Sequence, residues 1–239
     1  MCKAAIVTGA SSGIGFEISK TLCRLGYEVY GIGRNFQMQI EEKQFHAVVC
    51  DLLDTNYLLQ VVKEITEKNE ISVLVNNAGT AYYGLHEELS PEKIQQMVRI
   101  NLEVPMILTQ RLLRMLKKNR GYVINIVSVT AQNSNPHGCA YGSTKAGLAS
   151  FSRSLFDEAR KYGVKVTAIY PDMTKTNLYR NADFTVGEEE ESYLVPEEVA
   201  CAIEFLLGQR DGAVVSELTL KPQLHRIQKK KNNGQIEKR

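Results

Sequence analysis

Lys3-Ala4-Ala5-Ile6-Val7-Thr8-Gly9-Ala10-Ser11-Ser12-Gly13-Ile14-Gly15 runs from an apolar, β-rich hexamer through a glycine-bearing turn into an amphipathic stretch that ends near Gly26. The order is strand, glycine turn, helix. Such a turn exposes bare backbone to an anion, and the first N–H groups and positive dipole end of the helix meet it. Glycines at 9, 13 and 15 depart from the common G-x-G-x-x-G spacing, so the strand before and the helix after carry the signal. The plainer reading, a tight turn needing glycine only for its backbone angles, stays open at this point.

Working outward, β-rich apolar runs recur near 3–8, 27–33, 45–50, 71–76, 121–127, 164–170 and 213–220, with helical periodicity between them. Strands alternating with helices predict an α/β fold: one doubly wound parallel sheet of about seven strands, helices on both faces. The segment from Pro91 to Asn119 reads as one bent or two abutting helices, interrupted by Pro105 and ending at Gly121. At 239 residues the chain suits a single domain, placed at 1–222, followed by a basic tail at 223–239. Arg226, Lys229, Lys230, Lys231, Lys238 and Arg239 face only Glu237 there, so a total charge of +2 conceals +5 in the tail and −3 in the body. The tail reads as a solvated end; contact with acidic lipid or nucleic acid is the alternative.

Cys2, Cys23, Cys50, Cys139 and Cys201 are odd in number, scattered and without a C-x-x-C pair, which points to a reducing compartment and no metal site. No uncharged apolar stretch approaches the roughly 20 residues of a membrane span, and a strand begins within three residues of the start. The expectation is a cytoplasmic protein with no membrane span and no nucleic-acid partner.

Tyr141 and Lys145 fall four apart, which on a helix puts a phenol and an ammonium on one face. A free phenol titrates near roughly 10; a cation beside it stabilises the phenolate and makes it a usable acid/base. Many solvated helices carry the same pair by accident, so other features must support it. Ser128 closes the run Gly121-Tyr122-Val123-Ile124-Asn125-Ile126-Val127, at the carboxyl edge where open α/β sheets bind ligands. Taken alone it reads as a strand-end cap.

Thr8 to Gly15, Asn76-Asn77-Ala78-Gly79, Asn101, Ser128 and Tyr141-x-x-x-Lys145 resemble, in order and spacing, the short-chain dehydrogenase/reductase family, over residues 3 to about 220. The resemblance implies reversible hydride transfer between a nicotinamide dinucleotide and a carbonyl or secondary alcohol. It gives Tyr141 the role of general acid/base, Lys145 that of lowering its pKa and holding the nicotinamide ribose, and Ser128 that of polarising the substrate oxygen. Asn101 would hold a water linking Lys145 to solvent; otherwise it is a polar residue on a solvated face. Cofactor contacts would come from Gly9, Ser11, Ser12, Gly13, Ile14 and Gly15, from Arg34 and Asn35, and from Asp51, Leu52, Asn77, Ala78 and Gly79. Tyr141, Lys145, Pro171, Thr174 and Thr176 would complete them. Asp51 reads equally as a helix N-cap. Family relatives assemble through their long helices, which implies a homodimer or homotetramer.

The second strand ends in Gly33, where NAD-preferring relatives carry an acidic residue, and Arg34 follows. An absent carboxylate and a neighbouring guanidinium predict NADP(H). Pro171-Asp172-Met173-Thr174-Lys175-Thr176 has aspartate where the family has glycine, which puts the local backbone path in question. Residues 177–195, with Tyr179, Phe184, Tyr193 and Glu188 to Glu191, match the family's variable lid; the acidic run reads as a solvated face. Tyr82, Tyr83 and His137 on facing loops would suit a bulky, partly apolar ketone or alcohol, and Cys139 reads as a buried inert thiol. A rival reading is a dinucleotide-binding sensor or scaffold without turnover; intact Ser128, Tyr141 and Lys145 argue against it.

Overall fold

The inner strands of the central sheet are buried on both faces because helices cover both. In a computed structural model, which describes residues 3–37 and 40–230, seven parallel strands are ordered β3-β2-β1-β4-β5-β6-β8. They are β1 (Ala4–Thr8), β2 (Glu28–Gly33), β3 (Phe45–Val49), β4 (Ile71–Asn76), β5 (Tyr122–Ile126), β6 (Lys165–Pro171) and β8 (Glu217–Leu220). Cys2 and the tail beyond Lys230 lie outside the described residues. The chain order reverses between β1 and β4, and at such a switch point the strand ends diverge and open a crevice.

Residue parity assigns the two cores. Ala4, Ile6, Leu74 and Val123 pack against α2 (Thr55–Lys68), α4 (Val104–Asn119) and α5 (Cys139–Ala159). Their neighbours Ala5, Val7, Val73, Val75 and Ile124 pack against α1 (Gly13–Arg24) and α6 (Pro196–Leu207). This is the period-2 alternation of a strand with both faces buried. Leu112 of α4 is 1% exposed in the first core. Leu112→Ala is expected to lower stability by about 2–5 kcal/mol, read as a shift of the urea midpoint at unchanged slope.

The segment from Pro91 corrects the expected break. α3 (Pro91–Val98) passes into a single π turn over Arg99–Glu103 before α4 begins, and Pro105 sits near the start of α4. Proline has no N–H to give the carbonyl four residues back, that of Asn101, so the ladder widens just ahead of it. The helix does not end on its glycine either: Arg120 takes the left-handed turn at φ 49°. Gly121 is needed for space, since a Cβ there would lie 2.5 Å from the Ser72 carbonyl oxygen.

Residues 223–230 are not a frayed end. β9 (Ile227–Lys229) pairs antiparallel with β7 (Phe184–Val186) in a separate two-stranded sheet. Among the described residues no helix is long and apolar enough to cross a membrane.

Candidate active site

The carboxyl ends of β1, β4, β5 and β6 converge on one cleft. The turn after β1 supplies its floor: Gly9 and Gly13 hold φ of +69° and +57°, angles a side chain resists. Ser12 caps α1 only with its backbone, and the first turn holds no acidic residue. The first N–H groups of α1 and its dipole therefore meet no carboxylate from their own turn. Asn77 ties the turn to β4: its backbone N–H donates to Thr8 Oγ1 at 3.0 Å, and its Nδ2 to the Thr8 carbonyl at 2.8 Å.

Gly9, Ser11, Ser12, Gly13, Ile14, Arg34, Asp51, Leu52, Asn77, Ala78, Gly79, Pro171, Thr174 and Thr176 all line the cleft, with Ser128, Tyr141 and Lys145. Three expected residues do not. Gly15 lies behind the turn, where a Cβ would stand 2.3 Å from both the Gly9 oxygen and Asn77 Nδ2, so its smallness closes the turn rather than admitting a ligand. Asn35 is exposed away from the cleft. Asn101 is completely buried behind it: its Oδ1 accepts from the Thr80 N–H at 2.9 Å, and its Nδ2 donates to the Thr80 carbonyl at 2.9 Å and to Thr144 Oγ1 at 3.0 Å. The solvated-face alternative for Asn101 is thereby excluded. Asp51 is not the cap of α2; Asp54 is, accepting from the Tyr57 N–H at 3.0 Å, while Asp51 accepts from the Leu53 N–H.

α5 brings Tyr141 and Lys145 to the cleft because one of its faces is buried along its length. Tyr141, Lys145, Leu148, Ser152, Leu155 and Ala159 recur every three or four residues and are all buried. The Lys145 ammonium donates to the Ile126 carbonyl at 2.8 Å and lies 5.9 Å from the centre of the Tyr141 ring. Ser128 sits at the end of β5, where Thr130 donates to its hydroxyl from both the backbone N–H (3.2 Å) and Oγ1 (3.0 Å). It thus caps the turn and presents its oxygen to the cleft together.

Sequence alone has Lys145 lowering the Tyr141 pKa; in the structure burial dominates. Desolvation pushes the phenol up to about 12, opposed by the Ser128 hydroxyl beside it. The same burial brings Lys145 down to about 8. At neutral pH the phenol therefore carries its proton, and Lys145 is still mostly the ammonium but loses its charge as pH rises through about 8.

Sequence reasoning missed several neighbours. Thr80 lines the cleft at 4% exposure, and its hydroxyl has no hydrogen-bond partner among the described residues. Of Tyr82, Tyr83 and His137, Tyr83 lies against the site, with its ring centre 5.9 Å from that of Tyr141; Tyr82 donates its hydroxyl to Gln96 and His137 is exposed. Tyr179 and Phe184 complete the group, while Tyr193 pairs with Lys175. Burial holds the Tyr83 and Tyr179 phenols well above the usual range, with the Tyr141 phenol the next cause for both. Cys139, expected to be buried, is exposed at the start of α5. Asp172 is held at the end of β6: its carboxylate accepts from the Met173 N–H at 2.8 Å, and its own N–H donates to the Leu220 carbonyl at 2.9 Å.

Comparison with known proteins agrees with this geometry. Residues 3–185 match the family model described as short chain dehydrogenase. An uncharacterized oxidoreductase of Staphylococcus epidermidis is 31% identical over 227 residues, 92% of this chain and 97% of its own. The 3-oxoacyl-[acyl-carrier-protein] reductase FabG of Buchnera aphidicola is 29% identical over 229 residues, 90% of this chain and 93% of its own. An alcohol dehydrogenase from the archaeon Thermococcus sibiricus, solved in complex with 5-hydroxy-NADP, superposes with a TM-score of 0.84 at 27% identity, covering 94% of this chain and 97% of that one. The chain belongs to the short-chain dehydrogenase family and is an oxidoreductase of that family.

Proposed function

We propose that the protein reduces a carbonyl compound, or oxidises the matching secondary alcohol, with NADP(H), and that Tyr141 moves the proton. The observation that carries this reading is the convergence of a buried, protonated phenol, a hydroxyl and an ammonium at one end of the cleft whose other end is the glycine turn.

The residues present fit the dinucleotide. A Cβ on Gly13 would reach to 3.2 Å from the Thr176 side chain, which also lines the cleft, and α1 offers its first N–H groups there. Gly33 ends β2 without a carboxylate, and a Cβ there would crowd Ser11 Cβ at 3.0 Å and Phe36 at 3.1 Å. Arg34 lines the same end, exposed, and pairs with no acidic side chain among the described residues. A guanidinium there suits a 2′-phosphate, as does the NADP derivative held by the Thermococcus enzyme. When bound, the nicotinamide supplies or accepts the hydride.

The chain's own residues do the rest. Ser128, oriented by Thr130, donates to the carbonyl oxygen; Tyr141 gives that oxygen its proton. Lys145 is placed to stabilise the phenolate left behind. Asn101 is a positioning residue: it joins the Thr80 backbone to Thr144, which lies on α5 between Tyr141 and Lys145. Its amide nitrogen has no hydrogen left, so a water linking Lys145 to solvent would donate to an oxygen of Asn101. Assembly as a homodimer or homotetramer through the long helices is part of the same proposal.

Loss of NADPH absorbance on addition of ketones and aldehydes tests the activity; absence of turnover across both classes and in the oxidative direction would sink it. For the cofactor, Arg34→Ala is expected to reduce the NADPH over NADH preference at least about tenfold, from the about 1.5–3 kcal/mol of a charge-assisted hydrogen bond. An unchanged ratio of kcat/KM values would assign the preference elsewhere.

A further inference from the structure

Tyr179 and Phe184, which pack on Tyr83 beside Tyr141, belong to a segment with little structure of its own. β7 is three residues long, and a strand of that length has no independent stability. Its partner comes from the far end of the chain. Phe184, Thr185 and Val186 pair with Lys229, Gln228 and Ile227. The Lys230 N–H donates to the Asp183 carbonyl at 2.7 Å, and its ammonium donates to the Tyr179 carbonyl at 2.6 Å and the Arg180 carbonyl at 3.2 Å. Further along, Arg226 forms an ion pair with Glu189, and the Leu224 N–H donates to the Glu191 carbonyl at 2.8 Å. Residues 224–230 therefore bind the segment 179–191 at intervals over its whole length.

Beneath this strap the rings touch one another. Phe184 meets Tyr83 edge-on at 4.9 Å between ring centres, Tyr179 lies 5.6 Å from Phe184, and Tyr83 lies 5.9 Å from Tyr141. These are contact distances for aromatic pairs, and they leave Tyr141 only 3% exposed. Tyr179 lines the cleft with Tyr141, so a substrate that reaches the Tyr141 hydroxyl must slide against that ring, which the strap resists moving outward. A single flat ring can do this with little displacement; a fused polycyclic body cannot.

Resting on the proposed carbonyl reduction, we infer that the C-terminal strand at 224–230 is a specificity element, fixing Tyr179 and Phe184 over Tyr141 so that the site takes single-ring aryl ketones and aldehydes and rejects fused-ring ketones. Four proteins test it: the full chain, a chain ending at Lys230 that keeps every strap contact described above, a chain ending at Gln223, and Lys230→Ala. Each is assayed with a methyl phenyl ketone and a ketosteroid, and amide exchange of residues 184–193 is measured separately with NADPH present. The full chain and the chain ending at Lys230 are expected to prefer the aryl ketone in kcat/KM. In the chain ending at Gln223 that preference falls at least about tenfold, and amide protection over 184–193 is lost; Lys230→Ala shows both effects in smaller measure. A full chain that accepts the steroid equally well overturns the substrate class, and unchanged exchange in the shortened chain overturns the strap. Failure to reduce any carbonyl would count against the proposed activity instead, with the exchange data still deciding the strap.

Discussion

Tyr141→Phe is expected to lower kcat/KM for carbonyl reduction by about 10²–10⁴-fold, the range of a lost general acid, while the dissociation constant for NADPH stays within a factor of about three. The substitution removes one oxygen and leaves the ring among Ala81, Met97 and Tyr83. The fold is therefore untouched. Because burial holds the phenol at about 12, the wild-type residue is almost wholly protonated at neutral pH and ready to donate in the reductive direction. Alcohol oxidation needs the phenolate, so its rate should climb with pH through the alkaline range. Stopped-flow binding beside steady-state turnover separates the two effects. A variant that keeps more than about a tenth of the activity would remove Tyr141 from the proton path.

Lys145→Met is expected to cost about 10²–10³-fold in the same constant, the loss typical of one preorganised group facing developing charge. Methionine keeps most of the buried stem and removes the ammonium that donates to the Ile126 carbonyl. Burial lowers Lys145 from 10.5 to about 8, so the charged form prevails below pH 8 and is lost above it. Reduction by the wild-type protein should accordingly fall as pH rises through about 8, and that limb should be missing from the variant. Stability carries the opposite sign. The penalty for burying the charge is present below pH 8 and is relieved between about 8 and 10.5, where the unfolded chain alone binds the proton. In that window the variant's stability advantage over wild type should shrink, as read from urea midpoints across pH.

What was legible in the sequence follows from how local the forces are. Ala4-Ala5-Ile6-Val7 is buried on both faces, and a continuous apolar run announces itself without knowledge of its neighbours. The glycine turn is legible for the same reason, and all but Gly15 of its expected residues line the cleft. Gly15 misleads because a glycine required by packing against Asn77 looks the same in sequence as one required by a ligand. The break near Pro105 is legible as a break, but the π turn lies upstream, where the missing N–H is felt. The strap is the largest omission. Ile227-Gln228-Lys229 sits in a basic stretch that reads as solvated, and its partner lies some forty residues away in a three-residue strand too short to show a period. The direction of the Tyr141 shift was likewise hidden: spacing reveals that Lys145 is near, while desolvation depends on the depth to which α5 is buried.

The central claim, direct hydride transfer to a carbonyl carbon with Tyr141 as proton donor, is tested most directly by single turnover with NADPH deuterated at the transferable nicotinamide C4 position, using a methyl phenyl ketone and mass analysis of the product. The account predicts one deuterium on the carbinol carbon and none on oxygen, with the yield in the same interval collapsing for Tyr141→Phe. Product lacking the label, or formed equally fast by the phenylalanine variant, would contradict it.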